Sequence, residues 1–142
     1  MTSSHSKIYL FVHIIWKTAG RDHLLSRPVR VVLFAHLQKY AAEKGIKMLS
    51  VNGVEDHVHC LIQLHPAQNL SQVARQLRDE SSRWINESRI MQGVFEWDND
   101  YAAYSVSPSG VKQVTEYISR QEDHHKTKTL ESELEIFEKI QF

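Results

Sequence analysis

Asp56-His57-Val58-His59-Cys60-Leu61-Ile62-Gln63-Leu64 reads as a β-strand with two unlike faces. Side chains alternate along a strand, so Val58, Cys60, Ile62 and Leu64 leave one face while His57 and His59 leave the other. The two imidazoles then stand roughly 6.5 to 7 Å apart along the strand, a spacing that suits two ligands of one metal ion. The apolar face asks for packed helices, and the surrounding chain supplies them. Lys7 to Thr18, rich in aromatic and β-branched residues, predicts a first strand. From Arg27 to Lys44, Val29, Val32, Leu33, His36, Leu37, Tyr40 and Ala41 recur at helical spacing, with Pro28 near the start and Gly45 just past the end. Ile46 to Val51, the turn residues Asn52-Gly53 and His57 to Leu64 read as a hairpin.

A second helix starts near Asn69 to Ser71, where Asn69 and Gln72 suit a capping box, and turns Val73, Leu77, Trp84 and Ile85 inward. Tyr101 to Ser107 predicts a fourth strand, set off by Pro108 and Gly110. A third helix follows over about Val111 to Lys126, and a last amphipathic segment aligns Leu130, Leu134, Phe137 and Ile140. The first six elements, β-α-β-β-α-β, are the split β-α-β arrangement of ferredoxin-like and RRM-like sandwiches. The expectation is therefore an α+β fold with an antiparallel four-stranded sheet and extra C-terminal helices across one face. Its first and third strands lie at the centre, so the histidines begin a central strand. No repeat or linker divides the 142 residues, which give room for one domain. Residues 1–6 are expected as a disordered tail and 129–142 as a C-terminal amphipathic helix.

An apolar content of 42% with 24% charged residues places the chain among ordinary globular proteins. The longest apolar stretch, Ile8 to Trp16, is too short to span a membrane, and Met1 to Ser6 lacks the pattern of a secretory signal. A single cysteine, Cys60, excludes an internal disulfide and fits a reducing cytoplasm. Alternating away from the histidines, it reads as a small core residue. A net charge of zero argues against a protein that coats nucleic acid. The charge is uneven, however: residues 129–142 set Glu131, Glu133, Glu135 and Glu138 against Lys139 alone, leaving the rest of the chain basic. Arg75, Arg78, Arg83 and Arg89 share one predicted helix, and Lys112, Arg120, Lys126 and Lys128 lie near the next.

Val114-Thr115-Glu116-Tyr117-Ile118-Ser119-Arg120-Gln121 reads as helix, which puts Tyr117 and Gln121 on a common face at i, i+4. A phenol, an amide and two imidazoles can then converge on one point. Taken singly, each has a plainer reading. A lone histidine is more often a surface or hydrogen-bonded residue than a ligand, Tyr117 packs well beside Val114 and Ile118, and Gln121 suits a solvated helix face. The combination in this order is what carries the signal.

That combination resembles the HUH superfamily of single-strand DNA nucleases, and within it the small single-tyrosine transposases of bacterial and archaeal insertion sequences of the two-hundred type, with the REP-associated tyrosine transposases among their relatives. The likeness runs from about Lys7 to Lys128. It includes Val54-Glu55-Asp56-His57-Val58-His59, Tyr104-Ser105-Val106-Ser107 and Tyr117-Ile118-Ser119-Arg120-Gln121-Glu122-Asp123-His124-His125. One position departs: relatives often carry glycine where this chain has Asp100. The resemblance implies Tyr117 as nucleophile, forming a 5′-phosphotyrosine and freeing a 3′ hydroxyl. It implies His57, His59 and Gln121 as ligands of Mg2+ or Mn2+, and hairpin-bearing single-stranded DNA as substrate. It also implies a homodimer, with the tyrosine helix of one subunit serving the other across the flexible-looking Ser107-Pro108-Ser109-Gly110 link.

Asp56, His124 and His125 are supporting candidates around the metal, although Asp56 is equally well placed to close the hairpin turn. Arg75, Arg78, Arg83, Lys112 and Arg120 are candidates for phosphate contact. The chemistry is consistent with these residue types. A tyrosine oxygen can stay joined to phosphate and so retain the bond for rejoining, and a metal offsets the poor ionisation of a phenol with a pKa of about 10. Two other readings stay open. A non-catalytic RRM-like module would fit the topology, but His57 to Leu64 lacks the Gly- and Phe-rich motif of such domains. A zinc hydrolase using His57, His59 and a later histidine would hold zinc tightly and act without DNA.

Overall fold

The structure, a computed structural model, describes residues 6–124 and 129–139. Strands β1 (Phe11–Thr18), β2 (Lys47–Gly53), β3 (His57–Gln63) and β4 (Trp97–Val106) form one antiparallel sheet in the order β2-β3-β1-β4. Helices α1 (Arg27–Glu43) and α2 (Leu70–Ser88) connect them, and α3 (Val111–Ser119), α4 (Gln121–His124) and α5 (Leu130–Lys139) follow. The fold is the expected α+β sandwich, with β1 and β3 at its centre. None of the described helices is long and apolar enough to cross a membrane.

Alternation decides the layers. Ile14 and Trp16 of β1 and Val58, Cys60 and Ile62 of β3 pack against Leu33, Leu37 and Ala41 of α1 and Val73, Leu77 and Ile85 of α2. Each such side chain contributes roughly 1.5–3 kcal/mol when fully buried, so this face holds the main core. The α2 N-terminus is fixed by Asn69, whose Oδ1 accepts from Ser71 N–H at 2.9 Å and Gln72 N–H at 3.3 Å. On the opposite face Phe11, Leu61 and Val106 receive Val114 and Ile118 of α3, while Ile15 receives Leu130 and Leu134 of α5. The histidines of β3 lie on this second face, beneath the C-terminal helices.

Four differences from the sequence reading amount to more than one residue. β1 starts at Phe11 rather than Lys7, because its partner β3 ends at Gln63, opposite Phe11. β4 starts at Trp97 rather than Tyr101: a shift in pairing between Trp16 and Thr18 lets Thr18 meet Trp97. Arg78 then holds the carbonyls of Asp98 and Asn99 at 3.1 and 2.7 Å.

The other two corrections share one residue. Asn52-Gly53 is not the hairpin turn; both residues are still in β2, opposite His59 and Val58, and the chain reverses over residues 54–56. Gly53 is required by close approach instead, since a Cβ there would meet the His57 carbonyl oxygen at 2.3 Å. Asn52 turns its amide toward α3 and donates to the Ile118 carbonyl at 2.8 Å. In a continuous helix that carbonyl would accept from Glu122 N–H. Accordingly the predicted Val111–Lys126 helix is broken: α3 ends at Ser119, Arg120 adopts φ −107°, ψ 26°, and α4 begins at Gln121. Glu122 then ties α4 to α1 through Arg27 and through Arg30 at 3.1 Å. The Ser107–Gly110 link is a 3-10 turn with a buried Gly110, whose N–H donates to Ser107 at 2.8 Å. His125, Lys126, Lys128, Ile140 and residues 1–5 fall outside the described residues.

Candidate active site and metal centre

Glu133, on α5, is the centre of the site. Its position follows from helical spacing: it lies three residues after Leu130 and one before Leu134, the two leucines that seat α5 on the sheet, so its side chain also faces inward. Glu133 is fully buried, as are His57, His59 and Gln121. Its Oε1 stands 3.3 Å from His57 Nε2 and 3.1 Å from His59 Nε2. Its Oε2 accepts from the Tyr117 hydroxyl and, at 2.9 Å, from Gln121 Nε2. Four groups proposed from sequence thus meet on one carboxylate that sequence reading had counted only as tail charge. The signal was present: a glutamate between two inward leucines of an amphipathic segment lies on its apolar side.

Each imidazole is held at its far nitrogen. His57 Nδ1 lies 2.7 Å from Asp56 Oδ1, and His59 Nδ1 lies 2.8 Å from Nε2 of His13, a buried residue of β1. Both Nε2 atoms consequently face the Glu133 carboxylate. Burial acts against charge on His57, but the hydrogen bonds to Asp56 and Glu133 outweigh it and raise its pKa. Burial, reinforced by His59, lowers that of His13 to about 2, with Glu133 opposing, so this ring is neutral. Burial and then the Glu133 contact raise the pKa of Tyr117, keeping the phenol protonated at neutral pH. Burial likewise raises that of Cys60, which sits in the opposite core.

His57, His59 and Glu133 offer ligand atoms that all lie within 4.8 Å of one another. The residues fit a divalent ion. Adjacent ligands of an octahedral ion with bonds of about 2.1 Å are roughly 3.0 Å apart, close to the observed separations of 3.1 and 3.3 Å. A mixed set of imidazole and carboxylate suits such metals. Gln121 Oε1 is a further buried oxygen with no hydrogen-bond partner among the described residues, which leaves a lone pair for an ion.

The basic candidates are divided. Arg75, Arg78 and Arg83 belong to α2, on the far side of the sheet from the histidines. Arg78 is engaged with backbone carbonyls and lies over the Tyr101 ring, 5.2 Å from its centroid, and Arg83 pairs with Glu80 at 2.5 Å. Lys112 and Arg120 are exposed at the α3 side, in the same layer as Tyr117.

Residues 6–121 match the family model described as "Transposase IS200 like". The chain belongs to the IS200-like transposase family. This transposase is 26% identical over 116 residues to the ISDra2 transposase TnpA of Deinococcus radiodurans, a match spanning 78% of the chain and 83% of the relative. Its fold is similar to that of a crystal structure from Deinococcus radiodurans R1 assigned as a transposase, with TM-score 0.66, 24% identity, and 85% and 98% of the two chains covered. It is similar as well to a REP-associated tyrosine transposase bound to a REP hairpin, with TM-score 0.63, 12% identity, and 87% and 74% covered. The family match takes in His57, His59, Tyr117 and Gln121, whereas Glu133 and α5 lie beyond it. As an IS200-like transposase the chain is a DNA-processing enzyme, which sets aside the non-catalytic and hydrolase readings.

Proposed function

We propose that this transposase cuts and rejoins single-stranded DNA beside hairpins at element ends through a 5′-phosphotyrosine on Tyr117, using Mg2+ or Mn2+. The observation that carries the reading is the meeting of Tyr117, both histidines and Gln121 on the Glu133 carboxylate. His57, His59 and Glu133 would hold the ion, with Gln121 Oε1 in reach of the same space. When bound, the metal supplies Lewis-acid polarisation of a phosphoryl oxygen.

The protein's own part is positional. The Tyr117 oxygen forms a bond to phosphorus as the bond from phosphorus to the 3′ oxygen breaks, and the departing strand end takes up a proton as its 3′ hydroxyl. The Tyr117 hydroxyl already donates to Glu133, so the first acceptor for its own proton is in contact before any substrate arrives. Reversal by the 3′ hydroxyl of another strand completes transfer without a nucleotide cofactor. The hairpin partner is supported by likeness to a relative bound to a REP hairpin. Lys112 and Arg120, in the layer of Tyr117, are the proposed phosphate contacts.

A denaturing gel tests the reading. Labelled single-stranded DNA from the sequences flanking the gene is mixed with protein and Mn2+ or chelator. A heat-stable protein–DNA adduct should form with metal and vanish in Tyr117→Phe, which still binds the hairpin. An adduct of normal yield in Tyr117→Phe would reassign the nucleophile.

A further inference from the structure

We infer that His13 is a positioning residue which, by accepting a hydrogen bond from His59, fixes the ring nitrogen that His59 offers to the metal. The inference rests on the metal-site reading above. His13 lies on β1 opposite Leu61, and its neighbour two residues on, Ile15, is paired with His59. Alternation therefore puts His13 on the same sheet face as the two ligand histidines, one strand away. It is 1% exposed, its Nε2 is 2.8 Å from His59 Nδ1, and the two ring centroids are 5.0 Å apart.

Only one proton can sit between two nitrogens at that distance. If His59 is to present an Nε2 lone pair to an ion, its own proton must be on Nδ1. That proton points at His13 Nε2, which must then be bare, so the His13 proton is on Nδ1. The reverse assignment, with His13 donating from Nε2, puts the neutral His59 proton on Nε2, aimed at Glu133 and in the way of a metal. His57 has the same device in a different chemistry, its Nδ1 held by the Asp56 carboxylate at 2.7 Å. One ligand is thus oriented by an anion and the other by a neutral ring.

The test compares Mn2+ binding by wild type, His13→Phe and His13→Gln, read from the free-Mn2+ electron paramagnetic resonance signal without DNA. Loss of a partner that orients a ligand typically costs 10–100-fold in metal affinity. His13→Phe, which keeps ring bulk but has no acceptor, should weaken binding by about that factor. His13→Gln restores an acceptor oxygen and should bind close to wild type. In parallel, long-range 1H–15N spectra of ring-labelled wild type loaded with diamagnetic Zn2+ should show neutral His13 protonated on Nδ1. This measurement needs no variant, so it decides the matter even where His13→Phe fails to fold. Equal Mn2+ affinity in wild type and His13→Phe, or a His13 proton on Nε2, overturns the role of His13 and leaves the metal site standing. A wild type that takes up no Mn2+ removes the metal site itself, and the inference with it.

Discussion

Glu133 places a negative charge where the proposed reaction brings a phosphate, and the consequences are testable at that single residue. A carboxylate facing two imidazoles, a phenol and an amide, with almost no solvent, is stabilised only if those groups stay paired to it. Glu133→Gln keeps the shape and removes the charge. If Glu133 is a ligand, the neutral amide binds a hard cation less well, and Mn2+ affinity should fall by at least about tenfold, in line with the loss of a group around a metal. Titration calorimetry with Mn2+ checks this, and unchanged affinity would return the third position to Gln121. His57 and His59 were legible because their relation is local: two positions apart on one strand suffices to put them on one face. The inward face of Glu133 is legible from the leucines on either side of it, but its meeting with the histidines, like that of His13, is not, because what makes them part of the site is contact across the fold. Each reaches His59 from 74 and 46 residues away respectively, and no local pattern encodes that meeting.

At the scale of elements, the tip of the β2–β3 hairpin shows why a strong local signal was misread. Asn-Gly is the commonest dipeptide for a tight hairpin turn, yet here it continues the strand, with Asn52 opposite His59 and Gly53 opposite Val58. The asparagine is used to halt α3 at the Ile118 carbonyl, and the glycine to let β3 pass close by. Gly53→Ala should therefore act as an overpacked position rather than a turn substitution. A methyl 2.3 Å from the His57 carbonyl oxygen and 3.0 Å from Val58 Cα meets the backbone of β3 rather than a flexible side chain, so the strand itself must shift. The expected loss is about 1–3 kcal/mol, measured by urea unfolding, with Mn2+ binding reduced because the displaced backbone carries His57. Wild-type stability in Gly53→Ala would mean that the strands can separate there without cost. The order of the elements was readable because periodicity reports faces directly; the break at Arg120 was not, since it depends on a hydrogen bond from a strand 66 residues earlier.

For the whole molecule, the connections around Tyr117 bear on whether a tyrosine would serve the histidines of its own chain or those of a second copy. A homodimer with exchanged tyrosine helices is what the family resemblance implies, but the connections around Tyr117 favour its own chain. The link before α3 is a turn with a buried glycine, not an extended tether. Val114 and Ile118 pack α3 on Phe11, Leu61 and Val106, and Glu122 ties α4 to Arg27 and Arg30 of α1. Placing Tyr117 at a partner's histidines would first require the packing of Val114 and Ile118 and the Tyr117–Glu133 contact to be broken before they could be remade between chains. Co-expressing Tyr117→Phe with a His57→Ala/His59→Ala chain, each carrying a different tag, separates the arrangements. If tyrosines are exchanged, a mixed dimer has one complete site, formed by the histidines of the first chain and the tyrosine of the second, and it yields an adduct on the second. If each chain uses its own tyrosine, neither site is complete. We expect no adduct from the purified mixed dimer beyond the background of either variant alone; a phosphotyrosine on the histidine-less chain would show that α3 leaves its own sheet when DNA is bound.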